Sequence, residues 1–235
     1  YGLVDIAWSY AFGALAAWYA LFGSGWPVRR ALLAAMVVVW SLRLGTHLAV
    51  RVLGHHPQED TRYRQLRQDW RHRFEVKMFA FYEMQAGSVV LLGIAFLVAC
   101  QNPAATLHPL EIAGTALWLL SVSGEAIADT QLASFKRGPA SHDQVCAVGL
   151  WRYSRHPNYF FEWLIWVAYF LIALASPWGW LAIFGPAGIL WLLLRVTGIP
   201  MTEIQSLRRR GDAYRRYQQT TSAFVPWFPK KAQHG

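Results

Sequence analysis

The sequence predicts an all-α fold, a polytopic bundle of about six to seven transmembrane helices with cytoplasmic loops and an amphipathic helix near the C-terminal end. Apolar residues make up 55% of the 235 residues and charged residues only 15%, whereas soluble globular chains carry about 25% charged residues. Six apolar stretches reach the roughly 20 residues that a helix needs to cross a bilayer. The basic residues behind the net charge of +9 alternate with these stretches, which favours a membrane topology over a nucleic-acid-binding surface.

The predicted spans form a single domain, 1–235, without an internal repeat, a separate soluble domain or a signal peptide, so the first is expected to be a retained helix. Ser176 and Pro177 alone separate the fifth span from the sixth, which predicts a tight helical hairpin, and Gly198 and Pro200 end the sixth. Gly and Pro are not expected to interrupt the runs as they do in transporters. The approximate bounds are 3–23, 29–53, 77–100, 109–128, 159–176 and 178–199, followed by a tail at 201–235.

Basic residues mark one side of the predicted bundle. Of the 22 Lys and Arg residues, 16 lie in the three long polar stretches, 54–76, 129–158 and 201–235, and none lies at 101–108 or 176–178. The positive-inside rule therefore places the three polar stretches and the C-terminal end in the cytoplasm. Arg29 and Arg30 depart from this pattern. Polar segments that recur on one side predict a one-sided active site rather than a transport pathway.

Polar residues within the first spans need a protein partner or a water-filled cavity, because a charge near the bilayer centre costs roughly 2.5–3.5 kcal/mol on insertion scales. Arg43 and His47 lie four residues apart in the second stretch and share a helix face. The sequence therefore predicts a polar cavity beside that face. Asp5 either belongs to such a cavity or is an interfacial residue near the chain start. Gln85, in the third stretch, is interpreted as a helix–helix hydrogen bond.

The first cytoplasmic stretch, HHPQEDTRYRQLRQDW, mixes charges of both signs. Glu59, Asp60 and Tyr63 are its densest part and lie just beyond a membrane exit, so they are candidates for substrate or loop contacts. A solvated helix face explains these three residues equally well.

The fourth span ends in GEAIADTQLASFKRG, where two carboxylates lie one helical turn apart. Glu125 and Asp129 share a face, and Lys136 and Arg137 follow them. Carboxylates at this spacing could bind a metal ion, yet no HExxH motif or histidine-rich box accompanies them. We therefore expect no metal site.

The stretch LWRYSRHPNYFFEW, which leads into the fifth span, has more hydrogen-bonding groups than a membrane anchor needs. Pro157 ends an irregular lead-in, and Asn158 is predicted to cap the fifth helix. The free N–H groups of a helix N-terminus, and the guanidinium groups of Arg152 and Arg155, suit phosphate or carboxylate. A capped helix with basic anchors explains these groups without a ligand, but it leaves Glu162, one turn deeper, unexplained.

The last predicted element is an amphipathic cytoplasmic helix within GIPMTEIQSLRRRGDAYRRYQQTTSAFVPWFP. Glu203 follows the sixth span at once, and Tyr214 and Tyr217 lie three residues apart on the helix. An interfacial helix with basic and aromatic residues accounts for the arginines. It accounts less well for Glu203.

Together these segments resemble the steroid 5-alpha-reductase superfamily. SRHPNYFFE carries the resemblance, with EAIADTQLASFK before it and GIPMTE and YRRYQQTTSAFVPWFP after it. VDIAW, RLGTHLAVR and EDTRY resemble the bacterial branch of membrane reductase-like proteins, so the likeness covers nearly the whole chain. The RHPNY block is also similar to the isoprenylcysteine carboxyl methyltransferases, which use S-adenosylmethionine. The spacing from Asn158 to Glu162 and the ExxxD segment from Glu125 to Asp129 favour the reductases.

The resemblance implies an NADPH site at the cytoplasmic ends of the C-terminal helices, without the GxGxxG signature of a Rossmann fold. Asp129, Asn158 and Glu162 would contact the nicotinamide–ribose part, and Tyr214 and Tyr217 would close over the cofactor. The candidates for phosphate contacts are Lys136, Arg152, Arg155 and His156. The remaining cofactor candidates in the matching segments are Glu125, Tyr153, Tyr159 and Glu203.

The chemistry implied is reduction of a carbon–carbon double bond conjugated to a carbonyl in a lipophilic, steroid- or isoprenoid-like substrate. Hydride passes from NADPH to the β carbon while an acid polarises the carbonyl oxygen. The early-helix Glu and the Tyr that eukaryotic reductases use are absent here, so Asp5 is the candidate acid, with Arg43 or His47 as its partner. The expected setting is the bacterial inner membrane, with membrane lipid as a partner and no nucleic acid.

Two other functions stay open at this point. One is a membrane methyltransferase that uses S-adenosylmethionine on a thiol or carboxylate, and the other is a non-catalytic membrane subunit that binds a lipid or a protein. The 2′-phosphate of NADPH requires more basic residues than S-adenosylmethionine does, so Lys136 and Arg137 favour the reductase.

Overall fold

The chain folds into helices in a computed structural model that describes residues 3–54, 70, 72–138, 144–196 and 198–230, without the side chains of residues 51 and 53. Within these ranges there is no β-strand, and an isolated parallel bridge joins Ser154 to Ser222. The predicted all-α fold is confirmed. The α-helices are α1 Leu3–Phe22, α2 Pro27–Gly54, α3 Phe74–Leu92, α4 Ile94–Gln101, α5 Pro109–Arg137, α6 Pro157–Leu174, α7 Phe184–Trp191 and α8 Ile199–Thr220.

Five of the described helical segments are long and apolar enough to cross a membrane, as expected for a polytopic membrane protein. The first predicted stretch is confirmed as a helix, α1, but it is not one of these five. The five segments are Pro27–Val50, Phe74–Gln101, Pro109–Arg137, Pro157–Leu174 and Gly179–Arg210.

Two of the predicted runs are not continuous α-helices, and the expectation that glycine and proline do not interrupt the runs is wrong for the third. Gly93 divides the third run into α3 and α4. Glycine has the lowest helix propensity apart from proline, and this one lies against α1, where an added Cβ would be 2.5 Å from Leu15 Cδ2. Close packing at Gly93 therefore interrupts the helix without ending the apolar segment.

The sixth predicted run, 178–199, changes helix type twice. It begins as a 3-10 helix at Gly179–Ile183, continues as α7, and ends as a π-helix at Leu192–Val196. Trp178 precedes it with a φ of 63°, which no α-helix accommodates. Pro200 lies in the first turn of α8, the position in which proline is tolerated because its missing N–H has no helical partner.

The chain contains two compact units, which are described separately. Unit 1 comprises Tyr1–Glu111 and Ile172–Phe184, and unit 2 comprises Ile112–Leu171 and Gly185–Gly235. In unit 1 the fully buried ring of Phe12 packs edge-on against Phe96, with ring centroids 6.3 Å apart, and tilts against Trp40 at 5.7 Å. These contacts hold α1, α2 and α4 together through apolar burial.

Arg29 and Arg30, the two exceptions to the charge pattern, bind groups within unit 1. Arg29 is 2% exposed and forms an ion pair with Glu111, which is 1% exposed. It also donates to the carbonyls of Asn102, Ala104 and Thr106 at 2.8–2.9 Å. Arg30 donates to the carbonyls of Ala20, in the last turn of α1, and of Gly23, just after it. Both residues therefore close loops between helices, which gives them a structural role separate from membrane orientation.

In unit 2 two tryptophan side chains fix the helices that carry the candidate site. Trp118 Nε1 of α5 donates to the Tyr169 hydroxyl of α6 at 3.0 Å, and both residues are buried. Trp151 Nε1, from the 3-10 helix Gly149–Arg152, donates to the Ala128 carbonyl of α5 at 2.9 Å. The lead-in to α6, residues 149–156, and α6 itself are therefore both attached to α5.

Candidate functional site

All the residues predicted to contact a cofactor lie in unit 2. They come from the C-terminal half of α5, from the lead-in and first turns of α6, and from α8. Those candidates are Glu125, Asp129, Lys136, Arg152, Tyr153, Arg155, His156, Asn158, Tyr159, Glu162, Glu203, Tyr214 and Tyr217.

The first turn of α6 differs from the prediction in one respect. Asn158 was predicted to be the N-cap of this helix. The helix begins at Pro157, so Asn158 is instead its second residue. Proline is favoured at the first helical position because its φ is already helical and its missing N–H needs no acceptor. His156 precedes the helix, and its backbone N–H donates to Ser154 Oγ at 3.1 Å. The amide of Asn158 is thereby left for another partner.

That partner is Asp129. Asn158 Nδ2 donates to Asp129 Oδ1 at 3.3 Å, which joins α6 to α5 across 29 positions of sequence. One turn deeper in α6, Glu162 Oε1 accepts a 3.0 Å hydrogen bond from Trp166 Nε1, and Trp166 is 1% exposed. Glu125, one turn before Asp129, is 5% exposed. Two helices whose other residues are largely apolar thus carry three carboxylates and an amide in adjacent turns.

The Glu203 carboxylate contacts three side chains, two in the lead-in to α6 and one on α8. Its Oε1 accepts from Arg155 Nε at 2.7 Å and lies 3.3 Å from His156 Nε2, and its Oε2 accepts from Gln218 Nε2 at 2.8 Å. The side chains of Arg155 and Glu203 are 9% and 17% exposed. We call Arg155, His156, Glu203 and Gln218 the Glu203 cluster. The Glu203 carboxylate thus holds Arg155 and His156, the last two residues before α6, in place.

Arg155 is also bonded through its remaining donors. Its Nη1 donates to the carbonyls of Gln218 at 3.0 Å and Thr221 at 2.6 Å, and its backbone N–H donates to the Ser222 carbonyl at 2.8 Å. A guanidinium group with this many internal acceptors has few donors left for a ligand. The structure thus gives Arg155 an internal role, and its proposed phosphate contact remains a prediction.

Tyr214 and Tyr217 are buried on α8, with ring centroids 5.9 Å apart. The Tyr217 hydroxyl donates to the Trp151 carbonyl and, at 3.3 Å, to the Ser154 carbonyl. Burial and the negative charge of Glu203 raise the pKa of Tyr214 to about 12, and burial also raises the pKa of Tyr217. Both phenols therefore stay protonated at neutral pH, so Tyr217 remains a hydrogen-bond donor to the lead-in.

The other candidates of unit 2 lie closer to solvent. Lys136, in the last turn of α5, and Arg152, at the end of the 3-10 helix, are exposed. Tyr153 is 37% exposed. Tyr159 is half-buried, its ring stacks on His156 with centroids 5.4 Å apart, and its hydroxyl lies 3.2 Å from Thr202 Oγ1. Lys136 and Arg152 have the exposure that a phosphate contact requires.

Sequence reasoning missed the residues that hold these groups in place. Gln218 shares the Glu203 carboxylate, and Ser154 Oγ donates to the Phe224 carbonyl at 2.8 Å. Gln131 Oε1 accepts from the Leu150 N–H at 2.9 Å beside Gly149, whose φ is 54° and whose missing Cβ would lie 2.2 Å from Gln131 Nε2. Gly149 directly precedes the stretch LWRYSRHPNYFFEW and Ser154 lies within it, which was the available signal. Gln218 and Gln131 carry no such signal.

The proposed catalytic residues lie in unit 1. Asp5, in the first turn of α1, is half-buried and accepts from Gln85 Nε2 at 3.4 Å. This contact confirms the interpretation of Gln85 as a helix–helix hydrogen bond. Arg43 is half-buried and His47 is exposed, one turn apart on α2. The loop candidates Glu59, Asp60 and Tyr63 lie outside the described residues.

The arrangement in unit 2 can bind a polar molecule through groups of both signs. Carboxylates and an amide accept or donate hydrogen bonds near the first turns of α6, and exposed cations lie at the ends of α5 and of the 3-10 helix. Among the described residues, no group of three or more His, Cys, Asp and Glu side chains is placed to hold a metal ion. The donor set is therefore suited to hydroxyl, amide and phosphate groups.

Comparison with known proteins gives one family match. The model of a family described as "Protein of unknown function (DUF1295)" matches residues 1–221. No curated protein and no solved structure matches the chain.

Proposed function

The chain belongs to the DUF1295 family, and from this premise we propose that it is a membrane reductase of the steroid 5-alpha-reductase-like group. The proposed reaction is NADPH-dependent reduction of a carbon–carbon double bond conjugated to a carbonyl in a lipophilic, steroid- or isoprenoid-like substrate. The motifs SRHPNYFFE, EAIADTQLASFK and GIPMTE support the group assignment. The five apolar helical segments support a substrate that partitions into the membrane.

The observation that carries the proposal is the contact between Asn158 and Asp129 at 3.3 Å, with Glu162 and the buried Glu125 one turn away on the same two helices. A helix cap or a basic anchor needs none of these groups. Burying a carboxylate among apolar helices costs free energy unless it is hydrogen-bonded. An array of this kind is consistent with a polar ligand that the site must hold in one orientation.

The donor set fits NADPH. The Asn158 amide and the Asp129 and Glu162 carboxylates would hold the carboxamide and ribose hydroxyl groups, which need both donors and acceptors. The exposed Lys136 and Arg152 would bind phosphates, since cations give charge-assisted hydrogen bonds to phosphate oxygens. The Glu203 cluster would keep the lead-in rigid, because the Glu203 carboxylate already contacts Arg155 and His156. Bound NADPH supplies the hydride that the reaction requires.

The proposed proton donor is Asp5. Asp5 lies in the first turn of an apolar helix, and a carboxyl group can donate a proton to a developing enolate. Arg43 or His47 would be its partner. We place the reaction in the bacterial inner membrane, with the cofactor site on the cytoplasmic side, because the basic residues concentrate in the polar stretches that contain the site.

The test is the thermal stability of the detergent-purified protein in the presence of NADPH, NADH or S-adenosylmethionine. A ligand that binds the folded state alone raises the stability by RT ln(1 + [L]/Kd), about 2.7 kcal/mol at 100 times Kd. We expect NADPH to raise the melting temperature and S-adenosylmethionine to leave it unchanged. Asn158→Ala should abolish the NADPH effect, and Gln219→Ala, which removes an exposed amide from α8, should keep it.

The outcomes separate the functions. Stabilisation by S-adenosylmethionine instead of NADPH would make the protein a methyltransferase, and stabilisation by neither would indicate a non-catalytic subunit. Asp5→Asn divides the proposal further, because it should keep the NADPH effect and lose NADPH oxidation with a panel of lipophilic enones. Unchanged oxidation in Asp5→Asn would remove Asp5 from the mechanism and leave the cofactor proposal intact.

A further inference from the structure

The segment after α8 exposes an apolar surface that the proposed reaction does not use. Trp227 is 69% exposed, Phe228 is 78% exposed and Val225 is 52% exposed. The ring of Tyr153, from the lead-in to α6, packs edge-on against Phe228 with centroids 6.2 Å apart. We call Tyr153, Val225, Trp227 and Phe228 the aromatic patch. Exposed apolar side chains that cluster in this way mark an interaction surface rather than isolated surface residues.

The aromatic patch is fixed in place and is not a loose chain end. The Trp227 N–H donates to the Tyr153 carbonyl at 2.9 Å, and the Lys230 N–H donates to the Thr220 carbonyl at 2.8 Å. The Phe224 side chain beside the patch is 8% exposed, and its ring packs against Phe160 at 5.6 Å. The segment therefore has a buried side, which attaches it to α6 and α8, and an exposed aromatic side.

The anchoring points set the depth of the patch relative to the bilayer. Tyr153 lies four residues before Pro157, the first residue of a membrane-crossing segment. Four residues reach no more than about 13 Å even when fully extended. The polar interface on each side of the hydrocarbon core is about 5–8 Å thick. The hydrogen bond from Trp227 to Tyr153 therefore keeps the patch within about 13 Å of the start of the membrane-crossing segment, a range that includes the headgroup layer.

We propose that the aromatic patch inserts among the phospholipid headgroups and attaches the lead-in of α6 to the bilayer surface. Tryptophan and tyrosine are enriched at membrane–water interfaces, where an apolar ring meets polar surroundings. Lys230, exposed beside the patch, has the charge that an anionic headgroup attracts. The occupant is thus a phospholipid surface. This inference stands independently of the reductase proposal.

The test is depth-dependent fluorescence quenching in nanodiscs of phosphatidylcholine that hold one copy each. Phe228→Cys is labelled with bimane, and Gln219→Cys, at an exposed site of α8 outside the patch, serves as the matched control. The native cysteines, Cys100 and Cys146, are buried, and protein without an added cysteine gives the blank. Quenchers are headgroup-proximal doxyl lipids within the bilayer and iodide in the water.

We expect doxyl lipids to quench the label at position 228 at least about threefold more strongly than the label at position 219, and iodide to show the reverse preference. Replacing a quarter of the lipid with phosphatidylglycerol should raise the doxyl quenching at 228, and Lys230→Gln should remove that rise. Equal iodide quenching at both positions would overturn the proposal. Shielding from iodide that appears only in discs with two copies would overturn it in favour of a second copy of the chain.

Discussion

Glu203 holds the polar side chains that directly precede α6. One carboxylate accepts from Arg155 and Gln218 and lies within reach of His156. The side chains of Arg155 and His156 are therefore positioned by a residue that lies 47 or 48 positions further along the chain. This arrangement makes Glu203 a positioning residue for the motif, whichever ligand the motif binds.

Glu203→Gln is expected to lower stability by about 1–3 kcal/mol, since hydrogen bonds to charged groups contribute about that much and the partners are largely buried. The change keeps the shape of the side chain and removes the charge that Arg155 requires. Thermal denaturation of the purified protein measures it. The matched control is Asp212→Asn, because Asp212 pairs with Arg215 where both side chains are at least 70% exposed, and exposed pairs contribute little.

A melting temperature in Glu203→Gln equal to that of Asp212→Asn would show that the Glu203 cluster does not support the fold. If the melting temperature falls as expected, the NADPH effect should fall with it, because the lead-in that carries Asn158 is no longer held.

Single residues were predictable from the sequence where spacing alone decides the outcome. Glu125 and Asp129, one turn apart, do occupy neighbouring turns of α5. The contact of Asp129 with Asn158 was not predictable, since it depends on how α5 and α6 pack. The misplaced N-cap has a local cause. Asparagine is a strong capping residue, but proline at the preceding position starts the helix one residue earlier.

At the scale of elements, long apolar runs predicted where helices lie but not their type. The extent of α1, α2 and α6 follows closely from run length and flanking polar residues. The break at Gly93 and the 3-10 and π segments after Trp178 depend on packing against neighbours and on one positive φ. Those causes lie in the tertiary structure, so a hydropathy pattern does not contain them.

Helix α8 has a kink at Gly211, and a single substitution there should lower the stability of the protein. Gly211 has φ 50° and ψ −121° inside the helix, although an added Cβ there would meet no described atom within 4 Å. Gly211→Ala is expected to destabilise the protein by about 1–2 kcal/mol through backbone strain alone. Gly87→Ala, in α3, also enters open space but at a helical position, where alanine should be neutral or stabilising by up to about 1 kcal/mol.

Thermal melts of the two glycine variants test this directly, because the added methyl group meets no described atom within 4 Å in either variant. A difference in melting temperature therefore reports the backbone conformation. Equal melting temperatures for Gly211→Ala and Gly87→Ala would mean that α8 straightens at no cost and that the kink is not needed.

At the scale of the whole molecule, the charge distribution predicts a fixed orientation in the membrane. The exposed positions Gln144 and Gln219 lie in the basic stretches, and the exposed Ala105 lies in a connection without Lys or Arg. The positive-inside rule therefore puts the first two positions in the cytoplasm and the third outside. Arg29 does not disturb this expectation, because its charge is neutralised by Glu111.

Cysteine accessibility in spheroplasts measures the orientation. A membrane-impermeant maleimide should label Ala105→Cys in intact spheroplasts, and Gln144→Cys and Gln219→Cys only after permeabilisation. Buried native cysteines keep the background low. The opposite labelling pattern would reverse the orientation and place the candidate site outside the cytoplasm, away from the NADPH pool.

The bonds from Arg155, Ser154 and Tyr153 to the segment after α8 also determine when the site can form during synthesis. Each joins the lead-in of α6 to a residue about 70 positions later, at Ser222, Phe224 or Trp227. The ribosome therefore synthesises all five of the described membrane-crossing segments before the motif has these hydrogen-bond partners. We therefore expect these segments to insert into the bilayer before the lead-in of α6 bonds to the segment after α8.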